Sequence, residues 1–308
     1  MTTNAEIWPP LLTPFRDDGS LDLEALAPMV EFYVREGVAG LLVTGLSGEP
    51  LAMSADERDQ VVREVVRAAG GRIQIAAGVY PRDGNHADAI ARVRDTGADI
   101  AVLLVSLVAA PQDDHATLLD RLRRITEESE GDLGLYEAPR PYKRLLATEA
   151  FAWAAGSGRF VFVKDTCQDL DRIVQRIAAV EGSRLKHYNA EVATFRASMA
   201  AGSNGFCGLM ANVLPRAMAI AGSVADPAGD DIASILTVGD PALEQGYPGC
   251  AKLLLAQHEG LPLGSYVRKN GEAAKQLGTG LDALYKILHG KGLTGAADRA
   301  RGLREGDG

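Results

Sequence analysis

Phe160-Val161-Phe162-Val163-Lys164-Asp165 is a short apolar run that ends abruptly in a lysine and an aspartate. Four large apolar residues between glycine-rich and polar segments are typical of a buried strand. Lysine is seldom fully buried, and desolvation favours the neutral, nucleophilic form of its amine. The ordinary alternative is that Lys164 emerges at the end of the strand and pairs with Asp165 or another carboxylate. The strand alone favours that ion pair.

The composition is that of a globular enzyme. The chain has 308 residues, of which 46% are hydrophobic and 24% charged, enough for two ordinary domains or one large α/β barrel. A net charge of −9 argues against a nucleic-acid groove, and no Lys/Arg run indicates an anionic membrane surface. No apolar run is long enough to span a bilayer and no leader follows Met1, so we expect a cytoplasmic protein without membrane contact.

Cysteines and histidines have no metal-binding spacing. The three cysteines (Cys167, Cys207 and Cys250) predict neither a disulfide framework nor a zinc ribbon. The five histidines are scattered, without HxH or HExxH, whereas a metal-dependent aldolase or hydrolase needs convergent His and carboxylate ligands. We therefore expect no metal and no other cofactor.

Eight short apolar runs alternate with longer amphipathic segments. The predicted strands are Ile7–Leu12, Val38–Val43, Ile73–Val79, Ile100–Val105, Asp132–Tyr136, Phe160–Lys164, Leu185–Tyr188 and Gly205–Leu209. The predicted helix starts are a capping box at 54–57, Asn85 or Asp83, the acidic pair Asp113 and Asp114, and Thr148. Eight such units fit a parallel (β/α)8 barrel. A doubly wound sheet is the rival, but the first strand–helix turn, residues 12–15, has no GxGxxG.

We predict an α/β protein in which a (β/α)8 TIM barrel spans residues 1–220. A C-terminal helical region follows over residues 221–308 within the same structural unit. Its predicted helices are Ala217–Ala225, Ile232–Val238, Leu243–Gln257 and Lys275–Leu288. The tail after about residue 290 is rich in Gly, Arg and Asp, and we expect it to be frayed.

In a TIM barrel the active site lies at the C-terminal ends of the strands. The loop Thr44-Gly45-Leu46-Ser47-Gly48-Glu49, Tyr136 and Lys164 all meet there. Two glycines flanking a hydroxyl residue let backbone N–H groups turn inward toward a carboxylate or phosphate. An ordinary tight turn explains the loop equally well, and a tyrosine that merely packs against a loop is equally common.

Taken together, these groups suit one reaction class. A neutral amine attacks a ketone to form an imine, a phenol relays protons during dehydration, and the glycine loop anchors the carboxylate of a 2-oxo acid. The protonated imine then acts as an electron sink for making or breaking the adjacent carbon bond. The apolar run before Lys164 is expected to favour the neutral amine.

Several short motifs follow one another along the chain in a characteristic order and spacing. They are Leu12-Thr13-Pro14-Phe15, Gly45-Leu46-Ser47-Gly48-Glu49, Ser54-Ala55-Asp56-Glu57-Arg58, Ala76-Ala77-Gly78-Val79, Tyr136-Glu137-Ala138-Pro139, Val163-Lys164-Asp165-Thr166, Gly202-Ser203-Asn204-Gly205 to Asn212-Val213-Leu214-Pro215, and Tyr247-Pro248 through Lys252. In their order and spacing the chain resembles the dihydrodipicolinate synthase/N-acetylneuraminate lyase family of class I, Schiff-base aldolases. The resemblance covers essentially the whole chain.

The resemblance implies roles for individual residues. It makes Lys164 the imine-forming lysine and Tyr136 the proton relay. Ser47, with the backbone around Gly48, would hold the carboxylate of a pyruvate-like substrate. Cys207 falls where the family places an apolar residue against the bound 2-oxo acid, although a small buried hydrophobe explains it as well. The family usually forms tetramers or dimers, so the resemblance also implies a homotetramer or homodimer.

The chain departs from the family at the positions that contact the second substrate. Leu46 replaces the first hydroxyl of the loop, and no tyrosine occurs in the segment 105–110 after the fourth strand. Glu137 stands for the usual Asn, Arg140 is shifted from the family's arginine position, and 189–191 reads Asn-Ala-Glu. Leu46 and Glu137 are therefore predicted substrate contacts that differ from those of the lysine-pathway synthases.

We expect a lyase or aldolase that makes or breaks a carbon–carbon bond between pyruvate, or a related 2-oxo acid, and an aldehyde. Alternatives on the same imine are a dehydratase, a hydratase-aldolase or a divergent 4-hydroxy-tetrahydrodipicolinate synthase. Two alternatives lie outside the imine-forming enzymes. One is a barrel protein that binds a ligand without turnover, and the other is an enzyme that acts on a sugar phosphate. The latter would use residues 202–208, where barrels often bind phosphate, although close backbone packing explains those glycines better.

Overall fold

Eight parallel strands form the barrel that the alternation predicts. The structure, a computed structural model, describes residues 5–296. The strands are β1 (Glu6–Ile7), β2 (Gly40–Val43), β3 (Gln74–Val79), β4 (Ile100–Leu104), β5 (Leu133–Tyr136), β6 (Phe160–Asp165), β7 (Lys186–Asn189) and β8 (Gly205–Phe206). Each strand from β2 to β7 pairs with the strand that follows it, and β8 also pairs with β1. A parallel bridge between Pro10 and Leu42 closes the ring, so the predicted fold class is confirmed.

Helices follow the strands and continue beyond the barrel. They are α1 (Leu26–Arg35), α2 (Ala55–Ala69), α3 (His86–Arg94), α4 (Val105–Val108), α5 (His115–Glu128), α6 (Thr148–Gly156), α7 (Leu170–Val180), α8 (Val192–Ala200), α9 (Met210–Val213), α10 (Pro215–Gly222), α11 (Gly229–Glu244), α12 (Gly249–Glu259) and α13 (Thr279–Gly290). Short 3-10 turns cover Leu23–Ala25, Leu46–Gly48 and Pro50–Ala52. A small antiparallel hairpin, β9 (Tyr266–Val267) and β10 (Glu272–Ala273), follows α12.

β1 and β8 are the two strands that differ most in length from the prediction, and both are shorter than predicted. β1 ends at Ile7 because Pro9 and Pro10 have no N–H to donate to a ladder, although the chain stays against β2 as far as Leu11, whose N–H donates to Leu42 O. β8 ends at Phe206, and the chain then turns into α9. In both cases the apolar pattern continues past the hydrogen-bonded ladder.

Most predicted helix starts are confirmed. Ser54 and Glu57 form the predicted capping box, and α2 ends at Gly70, which takes a positive φ of 55°. Asn85 and Asp114 accept hydrogen bonds from the third residue of their helices. Thr148 was wrongly predicted as a cap: it is the first helical residue of α6, whose N-cap, Ala147, has no side-chain oxygen to offer.

The C-terminal helices exist, but several of their boundaries differ from the prediction. The predicted second and third helices are divided differently, because α11 continues through Pro241 to Glu244 and α12 begins only at Gly249. The described part of the tail folds back, with Thr294 only 2% exposed, contrary to fraying directly after residue 290. Residues 297–308 lie outside the described chain. The division of the chain at residue 220 stays a prediction.

The barrel interior is packed and is not a pore. Every second strand residue points inward, and the interior cluster consists of Trp8, Leu42, Ala76, Ile100, Val102, Leu104, Tyr136, Ala138, Phe162, Tyr188 and Cys207. Phe162 lies 5.0 Å from Trp8 and 4.8 Å from Tyr188, measured between ring centroids. This filled centre leaves the C-terminal mouth of the barrel for chemistry.

Candidate active site

Tyr136 and Lys164 lie side by side inside the mouth of the barrel. They are Cα partners across β5 and β6, and the Lys164 Nζ lies 4.6 Å from the centroid of the Tyr136 ring. Each side chain is close enough to the other to affect its pKa. Lys164 is only 4% exposed, so it does not emerge into solvent at the strand's end.

Asp165 does not neutralise Lys164. Because successive strand residues point to opposite faces, Asp165 points out of the barrel toward the helices. Its Oδ1 accepts from Arg176 Nη1 at 2.7 Å, and its Oδ2 lies 3.0 Å from His187 Nε2. The prediction of an ion pair between Lys164 and Asp165, which the strand alone favoured, is therefore wrong.

The ionisation of Lys164 differs from the simple expectation of a dry, neutral amine. Burial does disfavour the ammonium form, but Tyr136, Cys207 and Glu191 outweigh it, and the pKa of Lys164 is raised above its ordinary value. Burial also raises the pKa of Tyr136, although Lys164 opposes this. The two shifts favour the ammonium form of Lys164 and the un-ionised form of Tyr136.

The loop after β2 places two free N–H groups at the mouth. Residues Leu46–Gly48 form a 3-10 turn in which the Gly48 N–H donates to Gly45 O at 2.9 Å. Within residues 5–296, no acceptor meets the backbone N–H of Leu46 or Ser47. The available donors of the loop are therefore at 46 and 47, one residue earlier than expected, since the N–H of Gly48 is already used.

Gly48 is required by close packing. A Cβ at this position would lie 2.9 Å from Thr13 Oγ1 and 3.0 Å from Leu11 O. The absence of a side chain lets the turn sit directly on the end of the first strand segment, and Ser47 is held there at 5% exposure.

Leu46 and Cys207 border the same interior cluster as Lys164. Leu46 packs against it from the mouth. Cys207 is fully buried, its thiol is close enough to Lys164 to affect the lysine's pKa, and burial raises its own pKa to about 11. The structure thus brings both residues to the expected place, where each offers an apolar surface.

Glu137 lies on the outer face of the barrel wall, so its predicted contact with substrate does not fit the structure. The carboxylate is fully buried, bound by Arg176 Nη2 at 2.8 Å and by Leu146 N at 2.6 Å. As the residue after Tyr136 it faces away from the interior, by the alternation of strand side chains. Burial, followed by repulsion from Asp165, raises its pKa to about 7.

A second buried lysine, Lys252, was given no role by the sequence. Its Nζ donates to Glu49 Oε1 at 2.9 Å and to Tyr266 O at 2.7 Å, and both charged side chains are fully buried. Glu49 also accepts from Lys269 N at 3.0 Å. This contact ties the C-terminal region to the end of the Ser47 loop, and the only signal for it was the motif that runs from Tyr247 to Lys252.

Two further groups at the mouth, Glu191 and Tyr247, were given no individual role by the sequence. Glu191, at the start of α8, affects the pKa values of both Lys164 and Tyr136. Tyr247, just before α12, has its pKa raised by burial and lies close enough to Ser47 and Tyr136 for both to affect that pKa. Both stand in stretches that were compared with the family, residues 189–191 and the motif from Tyr247 to Lys252, but the resemblance assigned neither of them a role.

The described residues form neither a cluster suited to a metal ion nor a helix suited to crossing a membrane. Between residues 5 and 296, no three or more His, Cys, Asp or Glu side chains are arranged to hold a metal ion. None of the helices in this part of the chain is both long and apolar enough to cross a membrane.

Comparison with known proteins places the chain in one family. The sequence model described as Dihydrodipicolinate synthetase family matches residues 3–234. A 4-hydroxy-tetrahydrodipicolinate synthase from Ruegeria pomeroyi is 34% identical over 211 residues, 68% of this chain and 71% of the relative. The same enzyme from Laribacter hongkongensis is 30% identical over 210 residues, again 68% of this chain and 71% of the relative.

Solved structures show the same fold. A monomeric dihydrodipicolinate synthase variant matches with a TM-score of 0.82 and 20% identity, over 95% of this chain and 98% of that chain. The chloride-inhibited dihydrodipicolinate synthase from Acinetobacter baumannii, complexed with pyruvate, gives 0.79 and 23%, over 94% and 100%. The predicted family is confirmed, and with it the prediction of a lyase of the class I aldolase type. The chain belongs to the dihydrodipicolinate synthetase family.

Proposed function

We propose that the protein is a Schiff-base-forming lyase or aldolase that acts on pyruvate or a related 2-oxo acid. Lys164 supplies the amine and Tyr136 relays protons. Ser47 and the free N–H groups of residues 46 and 47 bind the carboxylate, while Leu46 and Cys207 contact the apolar part of the substrate. The partner substrate is an aldehyde, released or captured at the mouth of the barrel.

One observation carries the proposal: the amine and the phenol are register partners on adjacent strands, buried together, with Nζ 4.6 Å from the ring centroid. Rigid strands fix both groups before substrate arrives, which is what proton transfer over a short distance needs.

The protons carried by Lys164 and Tyr136 are those that imine formation requires. As the free amine of Lys164 attacks C2 of the 2-oxo acid, the proton released from the ammonium passes through Tyr136 to the ketone oxygen, which gives a carbinolamine. The carbinolamine then loses its hydroxyl as water, which takes up a proton delivered through Tyr136, and the imine remains on Nζ. Loss of a C3 proton gives an enamine whose carbon attacks the aldehyde. Cleavage is the reverse sequence.

Lys252 is the rival nucleophile, and its contacts argue against that role. Burial lowers the pKa of Lys252 despite the opposing effect of Glu49, which by itself would suit an amine nucleophile. However, Nζ of Lys252 is already engaged by protein groups. It donates to Glu49 and to the backbone carbonyl of Tyr266, and it lies 4.8 Å from the centroid of the Phe15 ring. Breaking this buried pair is costly, so Lys252 is better suited to hold the mouth together.

The second candidate is 4-hydroxy-tetrahydrodipicolinate synthase, the activity for which the 34% and 30% identical relatives are named. Two features count against that specific activity here. Leu46 removes a hydroxyl from the loop, and Arg140 stands next to Pro139 on the exposed surface of the following loop. A dehydratase or hydratase-aldolase would use the same imine and differ only in the bond broken afterwards.

Borohydride reduction in the presence of pyruvate tests the proposal. An imine is reduced to a stable secondary amine, so intact mass should rise by one pyruvate unit and peptide mapping should place it on Lys164. Lys164→Ala should give no adduct, whereas Lys252→Met should still give one. An adduct on Lys252, or full activity in Lys164→Ala, would contradict the proposal. A panel of aldehydes and 2-oxo acids, with 4-hydroxy-tetrahydrodipicolinate formation as one readout, then identifies the second substrate.

Three further expectations accompany this proposal. The reaction uses only the lysine imine, without a metal or other cofactor. The family resemblance favours a homotetramer or homodimer, which analytical ultracentrifugation would measure. It likewise favours a cytoplasmic location.

A further inference from the structure

Thr44 has a backbone conformation that its side chain disfavours. It follows β2 directly and takes a φ of 52°, in the left-handed region. A β-branched residue is an outlier there, and such a conformation persists only where the surroundings fix it. Thr44 begins the loop that carries the free N–H groups of Leu46 and Ser47. The contacts that hold Thr44 therefore also set where those donors lie.

Two hydrogen bonds from the end of β3 hold Thr44. Its Oγ1 accepts from Gly78 N at 3.1 Å, and its carbonyl oxygen accepts from the phenol of Tyr80 at 2.7 Å. A Cβ at Gly78 would lie 2.8 Å from that carbonyl oxygen, so the glycine permits the close approach. Because a peptide unit is planar and turns as one body, the phenol fixes the plane from which the chain enters the turn Leu46–Gly48.

The far end of the same loop is held by Arg58, near the start of α2. Its Nη1 donates to Pro50 O at 3.0 Å and to Met53 O at 2.7 Å. The guanidinium carbon also lies 4.8 Å from the centroid of the Tyr80 ring, a cation–π distance. Tyr80 thus binds the beginning of the loop, Arg58 binds its end, and the two side chains contact each other.

The turn itself lies between two residues of left-handed conformation. Of the four non-glycine residues with positive φ between residues 5 and 296, two are Thr44 and Glu49, on either side of Leu46–Gly48. Glu49 takes a φ of 58° and is bound by Lys252 Nζ at 2.9 Å and Lys269 N at 3.0 Å. Strain of this kind collects where a loop must keep one geometry for its function.

We propose that Tyr80 and Arg58 are positioning residues that keep the turn Leu46–Gly48 in the shape that receives the carboxylate of the 2-oxo acid. The inference rests on the proposed function for the identity of the ligand. Backbone donors bind an anion best when they are aligned before it arrives. The pair also gives a purpose to Gly78 and to the motif Ser54–Arg58, which the reaction itself did not use.

Tyr80→Phe tests the inference, with Tyr142→Phe as the matched control. The first variant keeps the ring beside Arg58 and removes only the hydroxyl bonded to Thr44. Tyr142 is also half-buried, and its hydroxyl has no hydrogen-bond partner in the described part of the chain. Calorimetry measures the dissociation constants for pyruvate and for pyruvamide, in which a neutral amide replaces the carboxylate.

Loss of one hydrogen bond should weaken pyruvate binding about threefold to tenfold in Tyr80→Phe. Pyruvamide binding should change by less than about twofold, because a neutral amide gains less from aligned N–H donors. Tyr142→Phe should match the wild type with both compounds. An unchanged pyruvate affinity in Tyr80→Phe, or equal losses for pyruvate and pyruvamide, would overturn the inference.

Arg58→Met tests the other half of the pair, with Arg72→Met as its control. Arg72 also donates to two backbone carbonyls, those of Ala68 and Ala69, but at the opposite end of α2. Arg58→Met should raise KM for pyruvate about tenfold with kcat within about twofold of the wild type. Arg72→Met should leave KM unchanged. An equal rise of KM in both variants would mean that α2 stability matters and that Arg58 does not position the turn.

A double-mutant cycle measures whether the two residues act together. Since Tyr80 and Arg58 contact each other and hold one loop, the combined loss of pyruvate affinity should be smaller than the sum of the separate losses. Strictly additive losses would contradict a shared role. Tyr80→Phe removes a single oxygen atom, so its test does not depend on whether Arg58→Met folds.

The borohydride adduct distinguishes failure of this inference from failure of the proposed function. A wild-type adduct on Lys164 together with an unchanged pyruvate affinity in Tyr80→Phe overturns only the role of Tyr80 and Arg58. Pyruvate binding that depends on Tyr80, without any adduct, overturns the imine and keeps the positioning role. No binding of pyruvate to the wild type overturns both.

Discussion

Lys164 and Tyr136 are Cα partners across β5 and β6, with the lysine Nζ 4.6 Å from the centroid of the tyrosine ring. On its other side Lys164 has a second register partner, Tyr188 on β7. The two tyrosines nevertheless point their hydroxyls differently, because Tyr188 Oη donates to Glu6 Oε2 at 2.5 Å, near the start of the barrel. Only the phenol of Tyr136 is available to the amine at the mouth.

This difference yields a sharp test of the proton relay. Tyr136→Phe keeps the aromatic ring beside Lys164 and removes the hydroxyl. General acid–base catalysis typically contributes about 100-fold to 10,000-fold, so we expect kcat to fall within that range while an adduct still accumulates slowly. Single-turnover kinetics with borohydride quenching measures the rate of imine formation directly.

Tyr188→Phe is the control for that variant. It makes the same chemical change at the other register partner of Lys164, at a phenol that is bound to Glu6. We expect a modest loss of stability from the missing hydrogen bond, about 1 kcal/mol, and an unchanged rate of imine formation. Equal rate losses in the two variants would mean that packing around the lysine matters and the relay does not.

The pH dependence of imine formation follows from the protonation of Lys164. Burial lowers the pKa of Lys164, but Tyr136, Cys207 and Glu191 raise it by more than burial lowers it. The net shift of the pKa is therefore upward. Since the free amine is the nucleophile, the rate of adduct formation should increase with pH from neutral into the alkaline range. Stopped-flow or quenched measurements between pH 6 and 10 test this.

Glu191→Gln refines the same measurement. The substitution removes a negative charge that favours the ammonium form of Lys164, and it leaves Tyr136 in place. The increase in the rate of adduct formation should therefore occur at lower pH than in the wild type. A rate that is flat over the whole range in the wild type would show that deprotonation of Lys164 does not limit imine formation.

The barrel and the reacting pair could be predicted from the sequence because both are local patterns. Apolar runs at regular spacing mark parallel strands, and a polar residue at the end of such a run is placed at the mouth by the fold itself. Tyr136 and Lys164 each end or nearly end a strand, so their meeting requires only the order of the strands.

The misplaced and missed residues depend on direction or on long-range contact. Glu137 was expected at the mouth, but the strand alternation that sends Tyr136 inward sends its neighbour outward, where Arg176 binds it. Arg176 lies 39 residues away, and Lys252 lies 203 residues from Glu49. No local periodicity encodes such pairs, so only the folded chain reveals them.

Arg176 should be critical for stability. It is fully buried and neutralises two buried carboxylates, those of Glu137 and Asp165. Removing one partner of a buried ion pair typically costs about 3–5 kcal/mol, so Arg176→Met should lower the free energy of unfolding by at least this order. Urea denaturation measures the loss. A loss below about 1 kcal/mol would mean that water or another cation replaces the guanidinium.

Glu137 should give the protein a characteristic pH dependence. Burial and the charge of Asp165 raise the pKa of Glu137 from 4.5 to about 7. Between these values the folded state holds a proton that the unfolded state has released, so stability should decrease as pH rises from about 5 to 7. Glu137→Gln should remove this decline, because the amide does not titrate. Urea midpoints at several pH values compare the two proteins, and parallel curves would contradict the assignment.

The Glu49–Lys252 pair should couple the stability of the C-terminal region to substrate affinity. Lys252→Met leaves the Glu49 carboxylate buried without its cation, at a cost of about 3–5 kcal/mol, and Glu49→Gln in the same chain should recover part of that loss. Because Glu49 ends the Ser47 loop, the single variant should also raise KM for pyruvate while the adduct still forms on Lys164. Unfolding in urea and steady-state kinetics on the two variants measure both effects. A stability loss with an unchanged KM would show that the pair holds the helices alone, and loss of the adduct would mean that Lys252 takes part in the chemistry.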